Sequence, residues 1–356
     1  MKKSVRNTIF AIISFIILSI IFIITFKVIY QTENPSLFEI DFDKKDHIIS
    51  SYGTLIGVIL TFLSIIFVLF TIIQQKEQFD EEKKIVQLKE KQALFDRLKL
   101  INNLITEIIS HIEDTGYEMK EFYNPEIENP LDNNQMNFYT NKNYYRLLEL
   151  DYLSIYNSFQ EYIKETDKTK SFNNLYKTID FYSEIISELK SKYQYHIKDK
   201  YLRKSKIANQ LNTLMNNASQ IINEYQQEYK EGNRYNEQDW YVILNNLIGE
   251  YYGKISEEDE TDFETLNLIV LYPFLQGANE IRKRIGFEKN TQDIVLQISN
   301  IRKQLYAIKM EGKHYGNHIK DYYKKYFSKE CESYKGLLKL KKIIEKSIED
   351  PVGNKV

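Results

Sequence analysis

The sequence predicts an all-α protein built as an N-terminal two-helix transmembrane hairpin, a long helical stalk and a cytoplasmic helical bundle. Three observations predict it. Two long uncharged apolar runs lie within the first 75 residues; apolar residues elsewhere recur at three- and four-residue spacing; and no strand-like alternation persists. Only five prolines and twelve glycines interrupt 356 residues, which favours long helices. Mean hydropathy is −0.46 despite the apolar start, so the remainder is strongly polar. The excess of Lys, Asn, Ile, Tyr and Phe is what an AT-rich genome imposes, and the 28 tyrosines are weighed accordingly.

The first run, residues 8–26 (TIFAIISFIILSIIFIITF), spans roughly 28 Å as a helix, the thickness of a bilayer's hydrocarbon. Lys2, Lys3 and Arg6 before it also suit a signal peptide. The apolar run is longer than a signal core, however, and ends in Phe26-Lys-Val-Ile-Tyr30 rather than small residues, which favours a retained span. The second run, residues 52–73, is also uncharged and long enough to cross. The connection carries Glu33, Glu39, Asp41, Asp43 and Asp46 against Lys27, Lys44 and Lys45, whereas Lys76, Lys83, Lys84, Lys89 and Lys91 follow the second run. This asymmetry predicts both termini in the cytoplasm and the acidic connection outside.

Residues 1–75 thus form the hairpin. Within its second span Gly53-Thr-Leu-Ile-Gly57 is a GxxxG motif that Thr61 continues, a small-residue stripe suited to close helix packing in lipid. It could pair with Ala11, Ser14 or Ser19 of the first span, the simpler arrangement, or build an oligomer. Neither span contains Asp, Glu, Lys, Arg or His, so a proton relay or charged pore has no residue to use.

Beyond Ile73 no stop signal appears. Residues 76–115 predict a stalk, with Ile72, Phe79, Val86 and Ala93 seven residues apart and little apolar support between them. The pattern thickens into a seam of Leu94, Leu98, Ile101, Ile105, Ile108 and Ile112, which calls for a partner helix. Residues 116–143 predict a loop, since Glu121–Asn143 is rich in Pro and Asn. Residues 144–356 predict a helical domain, with helices at 144–166, 171–198, 202–230, 237–254, 261–284, 290–311 and 331–349, and 314–328 undecided. Gly232 and Gly286 suit helix ends, Thr291 with Asp293 suits a start, and Pro273 should kink or divide its helix.

No P-loop, dinucleotide-binding, serine-elbow, HExxH or paired CxxC motif occurs, which predicts a protein that is not an enzyme and needs no cofactor. The only cysteine, Cys331, excludes an intrachain disulfide and suits a reducing compartment. Glu311, His314 and His318 share one face if helical and are weak candidates for a metal, although Gly312 and Gly316 make a regular helix there doubtful. The C-terminal KGLLKLKKIIEKSIED is a basic amphipath, suited to docking on the core and less to anionic lipid. A net charge of −2, with acidic residues interrupting each basic cluster, argues against nucleic acid as a partner. The partners it predicts are a lipid bilayer and a protein, this chain included, met through the stalk and spans.

Two stretches carry a family resemblance. ALFDRLKLINNLITEI, from Ala93, is similar to the "FFxLLxxHNxIV" helix of the phage abortive-infection proteins of AbiC type, with Phe95, Leu98, Asn102 and Ile105 in place. SFNNLYKTIDFYSEI, from Ser171, is similar to their "YFRxLYxxLKFI" helix through Phe172, Leu175, Tyr176, Ile179 and Phe181. Ile101 stands where the family often has His, and Ser171 and Asn173 replace its Tyr and Arg. The resemblance covers residues 1 to about 190. It implies a bacterial inner-membrane antiphage effector that halts growth of infected cells, with a membrane-tethered scaffold or signalling adaptor as the alternative.

Overall fold

The computed structural model describes residues 3–32, 42–257 and 262–350, and every regular element among them is helical. The acidic connection at 33–41 and residues 258–261 of the acidic stretch from Ser256 lie outside the described residues. The chain divides into two compact units, residues 1–92 and 93–356.

In the first unit, α1 (Lys3–Thr32) and the beginning of α2 (Phe42–Glu128) are each long and apolar enough to cross a membrane. Their outward faces are apolar all round: Phe15, Phe22, Ile23, Phe62 and Val68 are exposed. The hydroxyls of Ser19, Thr25, Thr54, Thr61, Ser64 and Thr71 donate to carbonyls four residues back. Such bonds satisfy hydroxyls without water. The two helices meet through Phe10, stacked on Phe70 at 4.3 Å and edge-on to Phe67 at 5.0 Å, with Val28 and Leu63 buried.

Gly53 and Gly57 take no part in that contact. A Cβ built on either meets nothing within 4 Å, and Thr61 is exposed. The expected intrachain pairing of the stripe with Ala11, Ser14 or Ser19 is not formed, because aromatic rings elsewhere along the helices set the approach.

In the second unit, α2 continues to Glu128 and is followed by α3 (Asn143–Leu148), α4 (Tyr152–Tyr162), α5 (Lys168–Glu228), α6 (Asp239–Glu257), α7 (Phe263–Thr265), α8 (Tyr272–Ile285), α9 (Thr291–Tyr322) and α10 (Glu332–Glu349). Two hydrophobic cores result. The first gathers the α2 seam, α3, α4, the N-terminal half of α5, the end of α9 and α10. The second gathers the C-terminal half of α5, α6 to α8 and the start of α9. Helices α5 and α9 run through both.

Four boundaries differ from the sequence reading, each for a physical reason. The predicted loop begins only after Glu128, because burial of Phe122, Tyr123 and Glu126 carries α2 past Pro125 despite its missing N–H. The single helix expected at 144–166 is two, divided where the Asp151 carboxylate accepts from Ser154 N at 3.0 Å and starts α4. The two helices expected at 171–198 and 202–230 are one; no Gly or Pro breaks α5, and Lys200 and Arg203 near the expected junction are paired with Glu126 and Glu311. Finally, α9 passes straight through Gly312 and Gly316. A wide turn of π type, Leu266–Leu271, precedes Pro273, which then sits at the start of α8 where a missing N–H costs least. Gly286 at φ 81° ends α8 as expected, its N–H donating to Arg282 O at 2.9 Å.

Candidate functional site: a buried polar waist

Between the two cores α5 changes character. Its core positions include Leu189, Tyr193, Lys200, Ile207 and Leu211, so a lysine occupies a seam position seven residues from an aromatic on one side and an isoleucine on the other. A buried ammonium requires a counter-charge. Glu126, in the last turn of α2 and with no exposed surface, supplies it: Lys200 Nζ donates to Oε1 at 3.0 Å and to Oε2 at 2.9 Å. His196, one turn before Lys200, donates from Nε2 to Oε1 at 3.0 Å, and Asn134 Nδ2 donates to Oε2 at 2.8 Å. Burial alone would raise the Glu126 pKa; the bonds from His196, Lys200 and Asn134 outweigh it and hold the carboxyl below its ordinary value.

Tyr315 of α9 closes one side, stacked on the His196 ring at 3.8 Å and 16°. Its buried hydroxyl has no hydrogen-bond partner, and burial pushes its pKa well up. Next along α5, Arg203 pairs with Glu311 of α9, and Lys204 donates to Leu131 O at 2.8 Å and Asn133 Oδ1 at 2.7 Å. Tyr193 accepts from Met136 N at 2.8 Å. The segment after α2 is therefore strapped along one face of α5 at Tyr193, Lys200 and Lys204.

Two glycines make this waist possible. A Cβ on Gly312 would stand 2.7 Å from Pro130 Cβ and 3.0 Å from Glu126 Oε1; on Gly316 it would stand 2.8 Å from Ile127 Cγ1 and 3.3 Å from Tyr123 O. A GxxxG spacing at 312–316 thus lets α9 cross the end of α2 at backbone distance.

The residues singled out in the sequence fall elsewhere. Glu311 is engaged by Arg203, His314 and His318 are exposed, and His318 stacks on Tyr322 at 5.9 Å. Among the described residues no three His, Cys, Asp or Glu side chains gather as a metal site. Cys331 lies 3.9 Å from the Tyr182 hydroxyl in the first core.

The seam Leu98, Ile101, Ile105, Ile108 and Ile112 is fully buried and Leu94 half-buried, so the helices it calls for are α3, α4, α5 and α10 of the same chain. The seam belongs to the body rather than to a stalk, whose exposed length is residues 75–93. On α10, Leu337, Leu340 and Ile344 pack into the first core.

Sequence reading missed Glu126, His196 and Lys200. Lys200 was visible as a charge on an apolar register; Glu126 was hidden because its NPEIENP context, residues 124–130, reads as loop. No family model, curated protein or solved structure matches the chain.

Proposed function

We propose that the chain is a membrane-anchored antiphage effector, non-enzymatic, whose helical body senses infection or a partner and acts through the membrane hairpin. The observation that carries this reading is that α2 contains, within Phe42–Glu128, both an apolar length sufficient to cross a bilayer and the seam that forms the body's first core. The charge asymmetry around the apolar runs supports a bacterial inner-membrane location with both termini cytoplasmic. The likeness at 93–108 and 171–185 to abortive-infection proteins supports the defence role. Inducible expression during phage challenge, scored for survival and dye-reported depolarisation, tests it. Protection with depolarisation is expected; protection without it would replace membrane damage by another killing mechanism, and no protection would remove the defence role for the phages used.

A second reading, a membrane-tethered adaptor, is favoured by one observation. Ile72, Phe79 and Val86, spaced by seven, are all exposed, as an apolar stripe that self-associates would be. Under it, residues 76–356 on an unrelated anchor retain full activity.

A further inference from the structure

The polar waist brings together three groups whose chemistry goes beyond an ion pair. One oxygen of Glu126, Oε2, accepts from the Lys200 ammonium at 2.9 Å and from the Asn134 carboxamide nitrogen at 2.8 Å. An amine and an amide are thereby held on a single carboxylate: Glu126 has no exposed surface, Lys200 is 6% exposed, and Asn134 is half-buried and reaches in from the edge. We propose that Lys200 and Asn134 become joined by an amide bond, with Glu126 as the proton carrier.

The arrangement meets the needs of that reaction. An ammonium is not a nucleophile, and the bonds that keep Glu126 ionised oppose the step, but transfer of one proton from Lys200 Nζ to Glu126 removes two opposite charges from a low-dielectric site and leaves a free amine. The amine attacks Asn134 Cγ and forms the new C–N bond. The C–Nδ2 bond breaks, Glu126 and the attacking nitrogen return their protons to the leaving group, and it departs as ammonium. No oxidant or reductant is needed. Substrate positioning comes from the strap: Asn134 Nδ2 also donates to Asn129 O at 3.0 Å, Lys204 holds Leu131 and Asn133 on one side, and Tyr193 holds Met136 on the other. Fixing the two reactants in this way supplies a large effective concentration, which an uncatalysed amide exchange requires. His196 keeps its bond to Oε1 throughout, so Oε2 is the oxygen that cycles.

The product ties the segment after α2 covalently to the middle of α5. Full-length protein purified in detergent and digested with trypsin tests this directly. Expected is a joined species of peptide 121–142 with peptide 199–203, about 17 Da lighter than the two together, the mass of the ammonia lost. Cleavage after Lys200 is absent from it. Glu126→Ala and Asn134→Ala should both yield separate peptides. Wild-type protein giving an unmodified 121–142 peptide and full cleavage at Lys200 would overturn the proposal, as would the joined species persisting in Asn134→Ala. Because the deciding sample is the wild type, a variant that fails to fold leaves the test intact.

Discussion

Glu126 and Lys200 pin the end of α2 to the middle of α5 through two hydrogen bonds, at 3.0 and 2.9 Å, between groups that are respectively 0% and 6% exposed. Removing either partner strands a buried charge where Lys200 is still an ammonium, and prevents the Lys200–Asn134 bond from forming. Lys200→Met is expected to cost about 3–5 kcal/mol, and Glu126→Gln a comparable amount. The double variant should cost less than the sum, because the second change removes the charge stranded by the first. Thermal melts of the four proteins in detergent check this; additive losses would mean that the pair does not act as a unit.

The same carboxyl sets an acid limit. Its folded pKa lies below the ordinary 4.5, so the folded protein binds this proton less readily than the unfolded chain. The stability it contributes is present above about pH 4.5 and is lost as pH falls through the lower folded value. Melting temperature should hold between about pH 7 and 5 and fall below that, and the fall should be shallower in Glu126→Gln. Glu188, Glu228, Glu280 and Glu330 are also depressed, by lysine partners, but at exposed sites where solvent screening leaves little energy.

Gly312 and Gly316 should reject alanine. The added Cβ would stand 2.7 Å from Pro130 and 2.8 Å from Ile127, closer than carbon atoms pack. Overpacking of this kind costs about 1–3 kcal/mol, more than the ~1 kcal/mol by which alanine improves a helix. Gly336 of α10 is the control, since a Cβ there meets nothing within 4 Å. Gly336→Ala should raise the melting temperature while Gly312→Ala lowers it.

These glycines also mark where the sequence stopped being legible. Residue period reported the apolar runs, the Leu98–Ile112 seam and the amphipathic α10, because burial writes itself at three- and four-residue spacing. It did not report that Gly312 and Gly316 lie inside a helix. A glycine is a breaker or a close-contact residue according to what crosses it, and the crossing element, the end of α2, was itself hidden by Pro125. The seam's partner was equally invisible: Ile101 and Ile105 announce that something covers them, and only the fold says it is α3, α4, α5 and α10 rather than a second chain.

Trp240, the only tryptophan, is fully buried in the second core, its indole N–H donating to Gly286 O at 3.1 Å and its ring stacked on Phe287 at 5.7 Å. Its emission therefore reports that core alone. Because α5 and α9 pass through both cores, loss of packing in the first should also lower the denaturation midpoint seen by Trp240. Ile105→Ala, at a fully buried position in the first core, is expected to cost about 2–5 kcal/mol in that signal. An unshifted midpoint would show two independently melting cores.

The exposed length of α2 permits a test of what the helix does. Every side chain from residue 75 to 93 is exposed, so inserting Gly-Gly-Ser-Gly after Gln78 displaces no buried side chain of either core. Each glycine in an exposed helix costs about 1 kcal/mol, and three together should break the helix locally while leaving the two cores and the waist alone. If the helix only tethers the body, phage protection and the Trp240 midpoint are both unchanged. If it carries a rotation or displacement from the body to the membrane, protection is lost while the midpoint stays. Loss of both would show instead that the insertion had reached the fold. Restoring helicity with a four-residue insertion of Glu-Ala-Ala-Lys separates the remaining causes: a helix that acts as a lever should recover, in part, because four residues restore continuity but advance the face by about one turn.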